Sequence, residues 1–167
     1  MLINHVPIIN RIVELEELAD LLNSIRDSYA AANYYHKVVL TSGYFLFLHD
    51  GHIDYLRGAT RFGNIWVTIV NGDGATKKKY GKLYVEATIR AKVISSLKYV
   101  HYVAIVDSDN IADAVRLLKP DVLYNGGDRT SLETSNKEEI RACKEVKCEI
   151  KFGEPNKINS SSKLLEE

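Results

Sequence analysis

Lys37-Val-Val-Leu-Thr41 runs straight into Ser42-Gly-Tyr-Phe-Leu-Phe-Leu-His49-Asp-Gly-His52-Ile53. The first five residues are short, β-branched and bounded by Ser42-Gly43, the pattern of a buried strand. From His52 to Phe62, Ile53, Leu56 and Ala59 fall on one face of a helix. A strand that passes through glycine into a helix is the opening unit of a parallel α/β sheet. Gly43 lets backbone come close to a ligand. His49 and His52 are three residues apart, with Gly51 between them, at the helix N-terminus. Exposed N–H groups and the helix dipole favour anions such as phosphate there. Two imidazoles at that point can donate hydrogen bonds to phosphoryl oxygens as negative charge builds up. The competing readings are histidines that only cap the helix or decorate the surface, and a zinc site. A zinc site needs a third and fourth ligand, and no Cys or His cluster supplies them at the usual spacing.

Working outward, the same alternation continues. Upstream, Leu15, Leu18, Leu22 and Ile25 recur at helical spacing, with acidic residues crowding the first turns. A polar, Tyr-rich link, Ala30 to His36, joins this helix to the first strand. Downstream, Ile65 to Val70, His101 to Val106, Asp121 to Tyr124 and Cys148 to Phe152 read as strands. Asn71 to Gly74 reads as a turn and Lys77 to Lys82 as a basic loop. Val85, Ile89, Val93 and Leu97 repeat every four residues and predict a helix. Ile111, Ala114, Val115 and Leu118 predict a short one, and Glu138 to Val146 another. The order implies a parallel sheet with helices on both faces. Ligands in such sheets bind beyond the carboxyl ends of the strands, near the switch point. That rule selects the loops 42–52, 71–82, 107–110 and 125–134.

The chain has 167 residues, 46% hydrophobic and 26% charged, which suits one globular domain with a sizeable core. Lys plus Arg and Asp plus Glu are both 22, so no global basic field supports nucleic-acid binding. No apolar run reaches the ~20 residues that span a bilayer. The N-terminus shows no basic stretch followed by an apolar one, so no signal peptide is expected. Cys143 and Cys148 make no disulfide framework and read as two thiols in a reducing cytosol. A cytoplasmic protein is expected.

The stretch around His49-Asp-Gly-His52 resembles the signature of the HisXGlyHis nucleotidyltransferases. This cytidylyltransferase-like group includes glycerol-3-phosphate cytidylyltransferase and the adenylyltransferase domain of ADP-heptose synthase. The resemblance covers nearly the whole chain, with residues 1–36 as N-terminal helix and link and 37–167 as the nucleotidyltransferase domain. It implies a Rossmann-like fold and transfer of AMP or CMP from ATP or CTP to a phosphorylated sugar or polyol. It further implies Mg²⁺ and a homodimer.

On this resemblance His49 and His52 contact the nucleotide phosphates. Asn71 and Asp73 fall in the family's Asn-Ser-Asp loop. Lys77 falls on a lysine that binds acceptor or phosphate, and Arg90 on the arginine that opens the next helix. Gly126-Gly127-Asp128 matches the end of a Lys-Gly-Gly-Asp motif. Ser160, Ser161 and Ser162 match a C-terminal Ile-Ser-Thr-Thr motif that holds the triphosphate. The implied catalytic set is therefore His49, His52, Lys77 and Arg90. The implied nucleotide-binding set is Gly43, Tyr44, Phe45, Gly51, Gly127, Asp128 and the three serines; no residue is assigned to a metal. Bland readings stand beside these: a solvated lysine run, an Arg90–Glu86 pair, a simple Gly-Gly turn and a polar tail.

Three positions depart from the pattern. Leu46 stands where the family usually has Asp, Asn125 where it has Lys, and Thr88 where it has an acidic residue. They imply an altered acceptor or, as an alternative, a nucleotide-binding module whose catalysis has lapsed. Class I aminoacyl-tRNA synthetases also carry HisXGlyHis, but they are much longer, and their Lys-Met-Ser-Lys-Ser signature is absent.

Overall fold

The computed structural model describes residues 11–126, 129 and 131–153. The five expected strands are present: β1 (Val38–Gly43), β2 (Ile65–Asn71), β3 (Tyr102–Val106), β4 (Val122–Asn125) and β5 (Glu149–Phe152). They form one parallel sheet in the order β3-β2-β1-β4-β5. The chain works from β1 outward to β3, then returns to lay β4 on the other side of β1. The switch point of this Rossmann-like sheet therefore lies between the ends of β1 and β4.

Alternation along the strands sorts the helices into two layers. Val38, Leu40, Val67, Ile69, Ala104 and Leu123 point to one face. There they meet α1 (Leu15–Ala31), α5 (Ala112–Leu118) and α6 (Lys137–Val146). Val70 and Val103 point to the other face, toward Leu56 of α2 (Asp50–Ala59) and Ala91 and Ile94 of α4 (Ala87–Ser95). Leu18 and Leu22 of α1 are fully buried in the first layer. Residues 11–13 add a short parallel bridge to β3, with Val13 N–H donating to Val103 C=O at 2.9 Å and Val103 N–H to Arg11 C=O at 2.7 Å. Leu15–Ala31 is thus a packed layer of the same unit, and it runs further than its apolar repeat, into the link expected from Ala30.

Two elements differ from the sequence reading. The turn and basic loop expected over 71–82 are instead a helix, α3 (Asp73–Tyr80). Its own apolar pattern is faint, and its start is made by a distant residue. Asp107, just past β3, accepts hydrogen bonds from Gly74 N–H at 3.2 Å and Ala75 N–H at 2.8 Å. A Cβ at Gly72 would lie 2.4 Å from the Asp107 side chain, so glycine is what lets the carboxylate in. Gly81, at φ +80, closes the helix with its N–H on Lys77 C=O. In α4 the four-residue repeat is helical but marks the wrong face. Ile89 and Val93 are exposed, while Ala87, Arg90, Ala91 and Ile94 face inward.

At the β2–β3 edge, His101 stacks on Trp66 with ring centroids 4.5 Å apart, and its Nδ1 accepts the Trp66 N–H at 3.0 Å. Burial, helped by the Arg11 charge, holds this imidazole below its ordinary 6.5. The unfolded chain therefore takes up the proton first. The stability that the neutral ring contributes is complete above about pH 6.5 and is lost as pH falls through the folded value. Chemical denaturation between about pH 7 and about pH 5 is expected to show His101→Gln with a shallower loss of stability than the parent. Equal slopes would contradict this.

Candidate active site

The site begins where β1 ends. Phe45 takes a left-handed backbone, φ +48, which turns the chain sharply out of the strand. A Cβ at Gly43 would meet the Phe45 ring at 2.9 Å, so glycine permits this turn. The Phe45 ring lies 5.1 Å from that of His52. His49 is the N-cap of α2 through its backbone: its C=O accepts from His52 N–H at 3.0 Å and Ile53 N–H at 3.3 Å. No side-chain cap is made, so the imidazole is not spent on the helix end. The His49 and His52 rings stack at 3.8 Å and 26°. His49 Nδ1 stands 3.9 Å from the Asp50 carboxylate. Two imidazoles and a helix N-terminus thus converge beside the switch point. Tyr55, one turn further along α2, pins the helix there. Its hydroxyl donates to Tyr124 C=O of β4 at 2.8 Å and accepts Ser42 N–H of β1 at 3.1 Å.

Arg90 lies beneath this loop and is 2% exposed. All five guanidinium N–H groups are used. Nε donates to Val85 C=O at 2.9 Å, and Nη1 to Tyr44 C=O at 2.6 Å and Asn71 C=O at 2.8 Å. Nη2 donates to Asp73 Oδ1 and Thr76 Oγ1, both at 3.1 Å. Its ionic partner is Asp73 rather than Glu86, and Asp73 also accepts Ala87 N–H at the start of α4. Burial pulls the Arg90 pKa down, and Asp73 opposes that. The residue expected to hold triphosphate is placed where it holds the loops.

Tyr44 forms the next part of the wall. Lys79 sits 4.2 Å over its ring, and Tyr80 meets it edge-on at 5.6 Å. Burial foremost, then the Asp109 charge, pushes the Tyr44 hydroxyl pKa up. Lys78 pairs with Asp109. Lys77 is exposed and leaves α3 about 160° around the helix from Lys79 at ~100° per residue. The structure thus brings His49, His52 and Phe45 together, and sets Tyr44 against Lys79 and Tyr80 rather than Lys77. Gly51 sits in the first turn of α2, next to His52.

Of the departures, Leu46 and Asn125 are both buried, and Asn125 Nδ2 faces Ser135 Oγ at 3.4 Å. Thr88 is exposed. Gly127, Asp128, Ser160, Ser161 and Ser162 lie outside the described residues. The sequence reading missed Tyr55, Asp107, Arg129 and Glu139. Asp107 and Arg129 do fall in loops that the switch-point rule selects, which was the available signal.

A parallel sheet with a histidine-bearing helix N-terminus at its switch point defines a nucleotide-binding α/β protein of the nucleotidyltransferase class. The cytidylyltransferase-like family model matches residues 40–167, and the chain belongs to that family. It is 34% identical over 131 residues to the bifunctional protein HldE of Helicobacter hepaticus, covering 77% of this chain and 26% of that protein. It is 31% identical over 129 residues to HldE of Syntrophotalea carbinolica, covering 75% of this chain and 26% of that protein. The chain therefore spans about a quarter of the length of these relatives.

Among solved structures, it resembles a lipopolysaccharide core biosynthesis protein from Thermoplasma volcanium. The TM-score is 0.60 at 26% identity, covering 75% of this chain and all of that one. It also shares its fold with a pantoate–β-alanine ligase from Francisella tularensis, with TM-score 0.58 at 12% identity, covering 92% of this chain and 69% of that one. Among the described residues no helix is long and apolar enough to cross a membrane.

Arg90→Ala should lower the unfolding free energy by at least ~3 kcal/mol, because buried carbonyls and Asp73 lose their donors together. Arg90→Lys should recover only part of this, having three donors in place of a five-donor fork. Urea denaturation reads both; a loss below ~1 kcal/mol for Arg90→Ala would contradict the assignment.

Proposed function

We propose that this chain transfers a nucleoside monophosphate from ATP or CTP to a phosphorylated sugar or polyol and releases pyrophosphate. The observation that carries the reading is the pair of stacked imidazoles, 3.8 Å apart, at the N-terminus of α2 beside the switch point. The likeness to a lipopolysaccharide core biosynthesis protein supports a sugar on the acceptor side.

In this reading the triphosphate lies on the N-terminus of α2. The acceptor phosphate oxygen attacks the α-phosphorus in line, a new P–O bond forms, and the bond to pyrophosphate breaks. The nucleophile is already an anion, so no strong general base is required. Positioning and charge stabilisation supply the catalysis. His49 and His52 donate to phosphoryl oxygens as charge develops, and the first N–H groups of α2 add to the field. Phe45 fixes the orientation of the His52 ring from the side. Ser160 to Ser162 enter the proposal as further phosphate ligands on the family resemblance.

Mg²⁺ belongs to the reading as the counter-ion of the triphosphate, neutralising phosphate charge when bound. Among the described residues no three His, Cys, Asp or Glu side chains stand together; in this reading phosphate and water oxygens would hold the ion.

A second reading, a module that binds nucleotide without turnover, is favoured by one observation. Leu46 and Asn125, which stand where the family resemblance implies Asp and Lys, are both buried and uncharged, so neither adds charge beside the histidines. The two readings separate in one assay. Pyrophosphate release with ATP and CTP against a panel of sugar and polyol phosphates is expected for the wild type. His49→Ala and His52→Ala are each expected to lower the rate by ~10²–10³. Unchanged rates in both variants would overturn the role of the histidines. Calorimetric binding of nucleotide with no release for any acceptor would favour the second reading.

A further inference from the structure

Across the switch point from the two histidines stands a guanidinium held by a carboxylate buried inside the protein. Arg129 lies in the loop after β4, and its N–H donates to Gly126 C=O at 2.9 Å. Its Nη1 donates to Glu139 Oε2 at 2.6 Å. The Glu139 side chain is 3% exposed, while that of Arg129 is 35% exposed. Glu139 is itself fixed twice. Its Oε1 accepts Ile111 N–H at 3.2 Å, at the start of α5, and its own N–H donates to the Asn136 cap of α6 at 3.3 Å. A buried carboxylate with these ties orients one edge of the guanidinium. Among the described residues, the Nε and Nη2 edge of Arg129 donates to no protein group.

Position gives this edge a purpose. α5 and α6 cover one face of the sheet, with Ala112, Val115, Ala142 and Cys143 in its core. α2, which carries His52, covers the other, with Leu56 in the core there. Arg129 and the histidine pair therefore approach the strand ends from opposite layers, and the Tyr44 loop lies between. The Tyr44 loop leaves β1 and the Arg129 loop leaves β4, and these two strands are parallel neighbours in the sheet, so both loops lie at the same carboxyl end. Asn125, four residues earlier, is neutral and turned toward Ser135, so the cation of this loop is Arg129.

We infer that Arg129, oriented by Glu139, binds the anionic phosphate of the second substrate and so helps select a phosphorylated acceptor. The inference rests on the reading of the preceding subsection, in which the triphosphate occupies the α2 side. A guanidinium presents paired donors that match a phosphomonoester, and fixing it in advance reduces the entropy lost on binding. Glu139 is a positioning residue here, since it touches Arg129 and not the substrate.

The test uses the full chain and steady-state pyrophosphate release, with nucleotide and acceptor varied in turn. Glycerol 3-phosphate and a hexose 1-phosphate are the acceptors. Arg129→Gln is expected to raise the acceptor KM roughly tenfold or more and leave the nucleotide KM within about twofold. Arg129→Lys should recover part of the acceptor KM, and Glu139→Gln should move it in the same direction as Arg129→Gln. An unchanged acceptor KM, or a nucleotide KM that rises as much, overturns the inference. If Arg129→Gln does not fold, the Lys variant carries the comparison against the same criteria.

If the wild type releases no pyrophosphate with any pair, the proposed function falls and Arg129 is read by calorimetry with hexose 1-phosphate instead. Binding weakened in Arg129→Gln supports an anion-binding Arg129. Binding equal in both proteins, or absent from the wild type, overturns it.

Discussion

The buried guanidinium of Arg90 ties together four pieces of chain. It holds the loop after β1 through Tyr44 C=O, the end of β2 through Asn71 C=O, the first turn of α3 through Asp73 and Thr76, and the entry to α4 through Val85 C=O. Each bond alone is modest, ~1–3 kcal/mol with a charged donor. Together they fix the height of Tyr44 above the strand ends and hence the path of the chain into His49. A charge this deep costs free energy to desolvate, and only a full set of acceptors offsets it. The path of the chain into His49 and the seating of α3 therefore both depend on a single residue of α4.

Around that anchor, the sheet topology does the rest. Sending β4 to the far side of β1 opens a crevice whose two walls belong to different layers. α2 brings its N-terminus and two imidazoles to one wall, and Glu139 of α6 holds Arg129 of the loop after β4 at the other. Tyr55 bridges the gap from β1 to β4 and keeps the first wall from drifting. On the proposed reading, two anions are brought together against their mutual repulsion. Cationic and N–H donors on both sides of a crevice are a direct physical answer to that need.

Much of this was legible in the sequence because strand signals are local. Val38-Val-Leu-Thr41 and Ile65 to Val70 announce buried strands by β-branching alone, and a glycine followed by HisXGlyHis marks the passage from β1 into α2. What was hidden depends on residues far apart in the chain. α3 has only Ala75 and Thr76 buried, so no periodicity declares it; its start is set by Asp107 across the sheet. The face of α4 was misread because its inward positions are small or charged, and a buried arginine breaks the rule that apolar repeats point to the core. Lys77 was assigned on the family resemblance, and the lysine that the helix sets over Tyr44 is Lys79. The Glu139–Arg129 pair left no pattern at all, since a carboxylate in the first turn of a helix reads as ordinary dipole compensation.

The central claim is that nucleotide phosphates rest on the N-terminus of α2 between His49 and His52. Nuclear magnetic resonance of the full chain with ¹⁵N-labelled histidine tests it directly, by titration with a non-hydrolysable nucleoside triphosphate. The account predicts that the ring-nitrogen signals of His49 and His52 shift together and saturably, while those of His36 and His101 stay in place. Saturable binding that moves His101 or His36 and leaves His49 and His52 unchanged would contradict it.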